Sequence, residues 1–258
     1  MQAIEPVQLS QLLDETFLAH AEHHDTINST QDRAHELASS ASESQLPLIV
    51  LADEQTAGRG RGDNRWWTGR GSLAFSLLFD PALWDSPRRA MPERSLLAAL
   101  ALIDTIAPLL NGRPLGLHWP NDVLAADRKL AGILIDVLPD GRHILGIGVN
   151  TNNRLREAPA DVRQRATSLI DVTGAPVDHT TLLVALLGNL ALIFREHAAQ
   201  PDAVGRRFHE ACLQVGAELT IDAAGRQTRG RCLGIAPDGA LLLETPASVQ
   251  RFYSGVLR

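Results

Sequence analysis

The sequence predicts an α+β fold: a main domain of helices and strands, followed by a small β-barrel. Two observations lead to this prediction. Apolar residues recur at helical spacing in several stretches, and short branched apolar runs stand between turn residues in others. After Val215 the sequence pattern changes. Only short strand-like runs remain there, separated by turns rich in Gly, Pro and Asp. We therefore expect one domain over residues 1–213 and a second over residues 214–258.

Five stretches of the main domain carry the helical period. Ser29 with Asp32 three residues later is typical of a helix N-terminus, and Asn111-Gly112 is typical of a helix end. Helices are expected over residues 8–20, 31–44, 92–110, 180–199 and 202–215.

Short apolar runs bounded by turns predict the strands. In the main domain they are residues 47–52, 72–79, 115–119, 123–125, 129–138 and 143–149. In the second domain they are residues 217–222, 228–235, 240–244 and 249–254.

Composition excludes several classes of protein. A chain of 258 residues with 45% hydrophobic and 21% charged residues is neither fibrous nor disordered, and its net charge of −6 argues against binding polyanions through bulk charge. The two cysteines, Cys212 and Cys232, are too few for a disulfide scaffold, which favours a reducing compartment. The N-terminus lacks a signal-peptide pattern, and the uncharged residues 180–194 are shorter than the roughly 18 of a membrane span. We expect a cytoplasmic protein with no membrane partner, in which residues 180–194 form a buried core helix.

A glycine-rich loop at residues 58–71 is the first candidate functional segment. It holds four arginines, one aspartate and five glycines, a local charge of +3 in a chain of net −6. Glycine lets the backbone approach a ligand, and arginine matches phosphate oxygens. A mobile surface loop would share this composition, but Trp66 and Trp67 favour a ligand, since tryptophan can stack on a base or cover a site. The loop therefore predicts anion binding.

A second candidate segment runs from His118 to Leu134. Asn121 and Asp122 form a turn after a strand, and Lys129 begins an otherwise apolar strand. The ammonium of Lys129 must therefore reach water, a carboxylate or a ligand anion. Gly132 leaves room for a ligand against the backbone.

Other motifs are weak or absent. Residues 146–150 (GIGVN) lack the third small residue and the helix of a dinucleotide fingerprint, and the chain has neither a P-loop nor a nucleophile elbow. His20, His23 and His24 have the spacing of a metal face on a helix, but no acidic partner accompanies them. A solvated helix end is the favoured interpretation, and no metal ligands are predicted.

Taken in order, these segments resemble the signature blocks of biotin protein ligases, in a short form without an N-terminal DNA-binding domain. The resembling blocks are residues 28–31 (NSTQ), 55–61 (QTAGRGR), 119–122 (WPND), 129–134 (KLAGIL) and 148–150 (GVN). Residues 230–243 resemble the family's small C-terminal SH3-like domain. The resemblance covers nearly the whole chain and implies a mixed-sheet biotin/lipoyl-ligase-like catalytic domain followed by an SH3-like β-barrel.

The resemblance implies an ATP-dependent enzyme that activates biotin to biotinyl-5′-AMP and transfers it to a lysine of a biotin carboxyl carrier protein. It also implies the residues that bind biotin and the adenylate: Ser29, Thr30, Gln31, Gln55, Gly58, Arg59, Gly60, Arg61, Trp66, Asn121, Lys129, Gly132 and Asn150. Ser29, Thr30, Gln55 and Arg59 would hold the ureido head of biotin, and Gly132 would let its ring pack closely.

At the adenylate, Lys129 would contact the biotin carboxylate and later the phosphate, while Arg61 would help to hold the adenylate. Trp66 would cover the adenine and Asn150 would bond its edge. Asn121 and Asp122 would lie near the acyl phosphate.

Catalysis is assigned to Lys129, Arg61 and Asp122. A carboxylate attacking the α-phosphate brings two anions together, so Lys129, the arginines and Mg²⁺ must neutralise charge. The acceptor lysine is protonated at neutral pH, and Asp122 is a candidate base for that proton. Asp122 could instead orient Lys129 or a metal.

Four positions depart from the family pattern, and several properties stay open. His118 stands where lysine is usual, Asn64 where arginine is common, and Asn28 and Gln31 replace Asp and Asn. About 27 residues precede the Ser-Thr block, too few for a DNA-binding domain, so no DNA partner is expected. The protein is expected to be a monomer or a homodimer.

Three rival functions remain at this point. A ligase for lipoate or octanoate would use the same fold, and a non-catalytic biotin sensor would keep the pocket without the chemistry. A nucleic-acid binder would use the Arg/Trp loop for phosphates and bases.

Overall fold

The main sheet has seven strands, and the order in space differs from the order in the chain. The computed structural model describes residues 6–88 and 91–258. The strands are β1 (His20–Ile27), β2 (Leu48–Gln55), β3 (Leu73–Phe79), β4 (Leu115–His118), β5 (Asp122–Ala125), β6 (Arg128–Val137) and β7 (His143–Val149). They lie in the order β1-β2-β3-β7-β6-β5-β4. Strands β1 and β2 are parallel and all other neighbours are antiparallel, so the mixed sheet is confirmed.

Helices cover the sheet. They are α1 (Leu9–Glu15), α2 (Thr30–Ala38), α3 (Arg94–Ile106), α4 (Ala160–Arg165), α5 (Leu169–Thr173), α6 (His179–Ala199) and α7 (Pro201–Ala211). Short 3₁₀ turns lie at Glu43–Gln45, Pro81–Trp84, Ala107–Leu110 and Leu155–Glu157. Helices α3 and α6 pack together, and their apolar residues join β3, β6 and β7 in one core. Helix α2 covers the opposite face through a smaller cluster around Ala34 and Val50.

Helix α6 is long and apolar enough to cross a membrane by length and composition, but it lies in the core. Leu183, Leu186, Leu187 and Leu190 are fully buried, and half of its most apolar window is buried inside the protein. The prediction of a core helix over residues 180–194 is confirmed.

The histidine-rich segment is a strand, so the prediction of a solvated helix end at His20, His23 and His24 is wrong. Helix α1 ends at Glu15, and β1 then pairs in parallel with β2, from His20 opposite Leu48 to Ile27 opposite Gln55. In a strand, side chains three positions apart point to opposite faces, so His20 and His23 cannot share the metal-binding face that helical spacing suggested. Within residues 6–88 and 91–258 no group of three or more His, Cys, Asp or Glu side chains is arranged to hold a metal.

Two predicted helices end early for local reasons. Helix α2 stops at Ala38, where Ser39 and Ser40 turn their hydroxyls back onto the carbonyls of Glu36 and Leu37. Helix α7 stops at Ala211, because the chain then runs extended and the amide of Leu213 donates to the carbonyl of Leu117 at 2.9 Å.

The C-terminal module is a small antiparallel sheet of five strands. They are β8 (Glu218–Ala223), β9 (Arg226–Ile235), β10 (Leu241–Glu244), β11 (Val249–Phe252) and β12 (Val256–Leu257), in the order β11-β10-β9-β8-β12. The last strand is one that the sequence pattern did not predict. Among the strands that the structure describes, the two end strands of this sheet, β11 and β12, do not pair with each other. The hydrogen bonds therefore form an open sheet and not a closed barrel.

The module packs directly on the main domain. Ile221, Ile235 and Leu243 belong to the same buried cluster as the helices α3 and α6. The indole N–H of Trp119, at the end of β4, donates to the carbonyl of Gly239 at 3.1 Å. A core shared in this way fixes the module against the turn that follows β4.

Candidate active site

A cleft of about 1010 Å³ opens between the main sheet, the glycine-rich loop and the C-terminal module. It brings together nearly all the residues that the sequence singled out. They are Ser29, Thr30, Gln31, Gln55, Arg59, Gly60, Arg61, Trp66, Asn121, Asp122, Lys129, Gly132 and Asn150. Gly58 does not line the cleft. Its carbonyl accepts a hydrogen bond from the amide of Trp66 at 2.9 Å, which closes the base of the loop.

The polar end of the cleft begins at the N-terminus of α2. The hydroxyl of Ser29 caps this helix by accepting from the amide of Asp32 at 3.3 Å. The next amide, that of Thr30, donates to Oε1 of Gln55 at 2.8 Å, and Nε2 of Gln55 donates to Thr68 at 2.9 Å. A helix N-terminus thus presents oriented donors to the cleft.

Gln31 extends this polar end toward the sheet. Its Oε1 accepts from the hydroxyl of Ser76 at 2.9 Å, and its Nε2 donates to Asp136 at 3.0 Å. Its amide fits only because position 146 is glycine, where a Cβ would lie 2.6 Å from Oε1 of Gln31. Ser76 and Asp136 escaped the sequence analysis, because only the pairing of β3, β7 and β6 brings them beside Gln31.

The floor of the cleft is made by two glycines and one indole. Gly132 on β6 and Gly148 on β7 are direct neighbours in the sheet, and the ring of Trp66 lies on both. A Cβ at Gly148 would lie 2.3 Å from Trp66 and a Cβ at Gly132 would lie 3.1 Å from it. The indole N–H of Trp66 is buried without a hydrogen-bond acceptor among the described residues. A buried donor without an acceptor costs free energy. This favours binding of a ligand that accepts a hydrogen bond from the N–H of Trp66 or displaces its ring.

Lys129 and Asp122 form the charged centre of the cleft. Nζ of Lys129 lies 2.7 Å from Oδ1 of Asp122 and 5.6 Å from the centre of the Trp66 ring. Both side chains are partly exposed to the cleft. The ammonium therefore meets a carboxylate and an aromatic face, as the sequence analysis expected for a charge on an apolar strand.

The glycine-rich loop folds as a narrow hairpin across the cleft. The amide of Gly60 donates to the carbonyl of Asn64 at 2.9 Å. Arg61 donates to the carbonyl of Gly255 in the C-terminal module, and burial lowers the pKa of its guanidinium. Arg59 instead forms an exposed ion pair with Asp32 at 3.0 Å, so it faces the rim of the cleft. The two arginines thus have different surroundings.

His118 lines the cleft opposite Asp122 in the pairing of β4 with β5. Burial lowers the pKa of its imidazole, and the nearby Lys129 ammonium acts in the same direction, while Asp122 opposes both. His118 is therefore neutral at pH 7, and the charge that a lysine would bring there is missing.

The asparagines Asn121 and Asn150 are held by different partners. Nδ2 of Asn121 donates to the carbonyl of Ile133 at 2.7 Å, which fits the turn-forming interpretation of this residue. Asn150 is buried, and its Oδ1 accepts from Nδ2 of Asn153 at 2.9 Å, which fixes the orientation of its amide. Asn153 was not identified from the sequence, although it lies only three residues after the end of the Gly-Val-Asn block.

Comparisons with known proteins agree with this geometry. The profile of the biotin/lipoate A/B protein ligase family matches residues 24–152, and that of the biotin protein ligase C-terminal domain matches residues 218–256. The chain is 32% identical over 241 residues to the bifunctional ligase/repressor BirA of Bacillus subtilis (strain 168), covering 91% of this chain and 72% of that protein. It is 36% identical over 206 residues to the biotin--[acetyl-CoA-carboxylase] ligase of Mycobacterium tuberculosis (strain ATCC 25618 / H37Rv), covering 78% of this chain and 74% of that protein.

A solved structure shares the fold over almost the whole chain. It is the biotin protein ligase of Aquifex aeolicus in complex with biotin and ATP, at a TM-score of 0.79 and 26% identity, covering 93% of this chain and 98% of that one. Both the sequence blocks and the arrangement of strands around the cleft are thereby accounted for, and this chain belongs to the biotin/lipoate A/B protein ligase family.

Proposed function

We propose that this protein is an ATP-dependent biotin protein ligase. It activates biotin to biotinyl-5′-AMP with release of pyrophosphate, and then transfers biotin to a lysine of a biotin carboxyl carrier protein. The observation that carries the proposal is the single cleft in which a polar helix N-terminus, a glycine floor and the Lys129–Asp122 pair meet an arginine-rich loop.

Biotin would lie with its ureido head at the polar end of the cleft. Thr30, Gln55 and Gln31 offer donors and acceptors there, and Ser29 holds the helix that presents them. The floor at Gly132 and Gly148 carries no side chain of its own, so it offers a place for the apolar ring of biotin once Trp66 has moved off it. The carboxylate of biotin would then point toward Lys129.

ATP would lie under the glycine-rich loop. Lys129 and Arg61 would neutralise the charge that gathers when the biotin carboxylate attacks the α-phosphate. Gly60 would let the loop backbone approach the phosphates, and Gly58 lets the base of the loop close. Trp66 would move from the floor to cover the adenine, and Asn150 would bond the adenine edge. Arg59, now paired with Asp32, is free to turn inward when an anion arrives.

Mg²⁺ would accompany the phosphates of ATP. The described residues hold no preformed cluster of metal ligands, which fits a cation that is carried largely by the nucleotide and water. When bound, Mg²⁺ supplies additional neutralisation of phosphate charge.

The second step uses an amine of the carrier protein. Its nitrogen attacks the carbonyl of the mixed anhydride, AMP leaves, and a proton must be removed from the amine. Asp122 is proposed as the base, a role supported by its partly exposed carboxylate in the cleft, and Asn121 shapes the turn beside it. Enclosure by the loop would protect the anhydride from water.

The rest of the proposal concerns the protein as a whole. Residues 1–213 form the catalytic domain and residues 214–258 form the C-terminal domain, whose strands are proposed to curl into an SH3-like barrel. The protein acts in the cytoplasm as a monomer or homodimer, with neither DNA nor membrane as a partner.

A comparison of acyl substrates tests the proposed activity. The purified protein would receive MgATP, a carrier domain and labelled biotin, lipoate or octanoate, with covalent label on the carrier as the readout. Biotin should be transferred at least about tenfold faster than either alternative, because a polar pocket end left unpaired by an apolar acyl chain is costly. Preferential transfer of lipoate or octanoate would assign another acyl group to this cleft.

A further inference from the structure

Lys129 is the only lysine among the 258 residues, whereas the remaining 23 of the 24 basic residues are arginines. A guanidinium stays protonated near neutral pH and is a poor nucleophile, but a lysine amine reacts with activated acyl groups. The one side-chain amine of this chain therefore lies inside the cleft. On the proposed function, it lies beside the reactive anhydride.

This position creates a chemical hazard. A lysine amine in water, with a pKa of about 10.4, is unprotonated in roughly one molecule in a thousand or fewer at pH 7. Two groups held in contact react as if one were present at about 10⁵ M or more. Proximity can thus outweigh protonation, and an unguarded amine at this place would take the acyl group before the carrier protein arrives.

The surroundings of Lys129 oppose this reaction. The Asp122 carboxylate lies 2.7 Å from Nζ, and the ion pair between them holds the ammonium against Asp122. His118 on β4 is the other titratable group facing Lys129, and Arg61 from the loop faces Asp122. An ammonium held in an ion pair with a carboxylate has no lone pair to offer.

We propose that Asp122 protects the enzyme from acylating itself, by holding the ammonium of Lys129 in an ion pair beside the bound acyl-adenylate. The inference rests on the proposed placement of biotinyl-AMP in this cleft. Asp122 is in this respect a positioning residue, since it acts on the adenylate through Lys129.

The reaction that Asp122 suppresses is an ordinary acyl transfer. The Lys129 ammonium would lose one proton to water, and its nitrogen would form an amide bond with the biotinyl carbon. The bond between that carbon and the phosphate oxygen would break, and AMP would leave with the electron pair. The nitrogen would release a second proton to water.

The experiment supplies synthetic biotinyl-AMP to the full chain without ATP and without a carrier, so that adenylation is not required. Intact mass and peptide mapping measure biotin on Lys129 and distinguish it from the α-amino group. The variants are Asp122→Asn and, as a second variant with a smaller side chain, Asp122→Ser. Asp127→Asn is the matched control, since Asp127 lines the same cleft without contacting Lys129, and its left-handed backbone suits asparagine.

Lys129 should be acylated at least about tenfold faster in either Asp122 variant than in the wild type, while Asp127→Asn should behave as the wild type. Lys129→Arg should carry no adduct at this position. If a folded Asp122 variant retains biotinyl-AMP through gel filtration and Lys129 remains unmodified, Asp122 is not a guard. If the wild type fails to retain biotinyl-AMP at all, the proposed function itself is refuted.

Discussion

At the scale of single residues, the site depends on a few side chains whose neighbours define their roles. Lys129 is the clearest, because its partners are a carboxylate and an aromatic face and its head is partly exposed to the cleft. Replacing it should change the chemistry of the cleft without opening a cavity in the core.

Lys129→Ala should lower the rate of biotin adenylation by roughly 30- to 1000-fold, which corresponds to about 2–4 kcal/mol of lost charge stabilisation. The measurement is biotin-dependent formation of pyrophosphate, with the urea midpoint as the check on folding. Asp127→Asn serves as the control for a charge change within the cleft. Near-normal adenylation in Lys129→Ala would show that the phosphate lies elsewhere.

Gly148→Ala should weaken retention of biotinyl-AMP by about tenfold or more. The new Cβ would stand on the floor where the Trp66 ring now lies, 2.3 Å from it, and would take part of the space that biotin needs once the indole has moved. Overpacking of this kind costs about 1–3 kcal/mol. Gly188→Ala is the control, because this exposed glycine of α6 has open space around its Cβ and alanine should stabilise the helix by about 0.5–1 kcal/mol. Equal retention by the two variants would contradict the proposed floor.

Much of this residue-level description follows from the sequence. The spacing of the glycine-rich loop and the charge of Lys129 on an apolar strand singled out residues that the structure brings together in one cleft. Ser76, Asp136 and Asn153 were missed, since polar residues within apolar strands or after a motif carry no local signal. Their roles arise from contacts between strands that are distant in the chain.

At the scale of elements, the sequence patterns missed those helices and strands whose conformation depends on contacts with distant parts of the chain. Strand β1 (HAEHHDTI) carries no apolar alternation, because it is an edge strand with polar side chains, and its conformation is set by pairing with β2. Helices α4 and α5 have only six and five residues, too short to show a period. The buried strand β3 was predicted to within one residue. The helix predicted over residues 92–110 is the α-helix Arg94–Ile106 followed by a 3₁₀ turn at Ala107–Leu110.

The glycine-rich loop should become resistant to protease when ligands bind. Few hydrogen bonds hold it, five glycines raise the entropy of the open form, and its arginines repel one another without an anion. Limited trypsin digestion should cut after Arg59, Arg61 or Arg65, and biotin with MgATP should slow these cuts several-fold. Cleavage after Arg226, an exposed residue that begins β9 directly after a turn, is the internal control. If the rate of cleavage is the same with and without ligands, the loop is not ordered by ligand binding.

At the scale of the whole molecule, several buried histidines couple stability to pH. Burial lowers the pKa of His118, His179 and His197, and it lowers that of His143 to about 4, where the Arg94 cation adds to the effect. The unfolded chain binds a proton at each histidine near pH 6.5, whereas the folded chain does not. Stability is therefore fully present above about pH 6.5 and is lost as the pH falls toward 4.

We expect the free energy of unfolding to be smaller at about pH 5.5 than at about pH 7.5, with about 1 kcal/mol of the difference due to His143. Urea unfolding at both pH values measures it, and His143→Gln should shrink the difference by that amount. An unchanged pH dependence in His143→Gln would show that another group is responsible.

The C-terminal module is part of both the core and the cleft. Its core joins that of the main domain, and the carbonyl of Gly255 accepts from Arg61 in the loop, so the module forms one wall of the cleft. Neither this wall nor β12 was predicted, because a two-residue strand and a backbone carbonyl leave no pattern in the sequence.

The central claim is that this cleft activates biotin with ATP. The direct measurement is exchange of labelled pyrophosphate into ATP by the purified protein, with Mg²⁺ present and no carrier. Exchange should depend on biotin, and it should be lost in Lys129→Ala. Exchange that proceeds equally without biotin, or its absence in a folded wild-type protein that is saturated with both substrates, would contradict the claim.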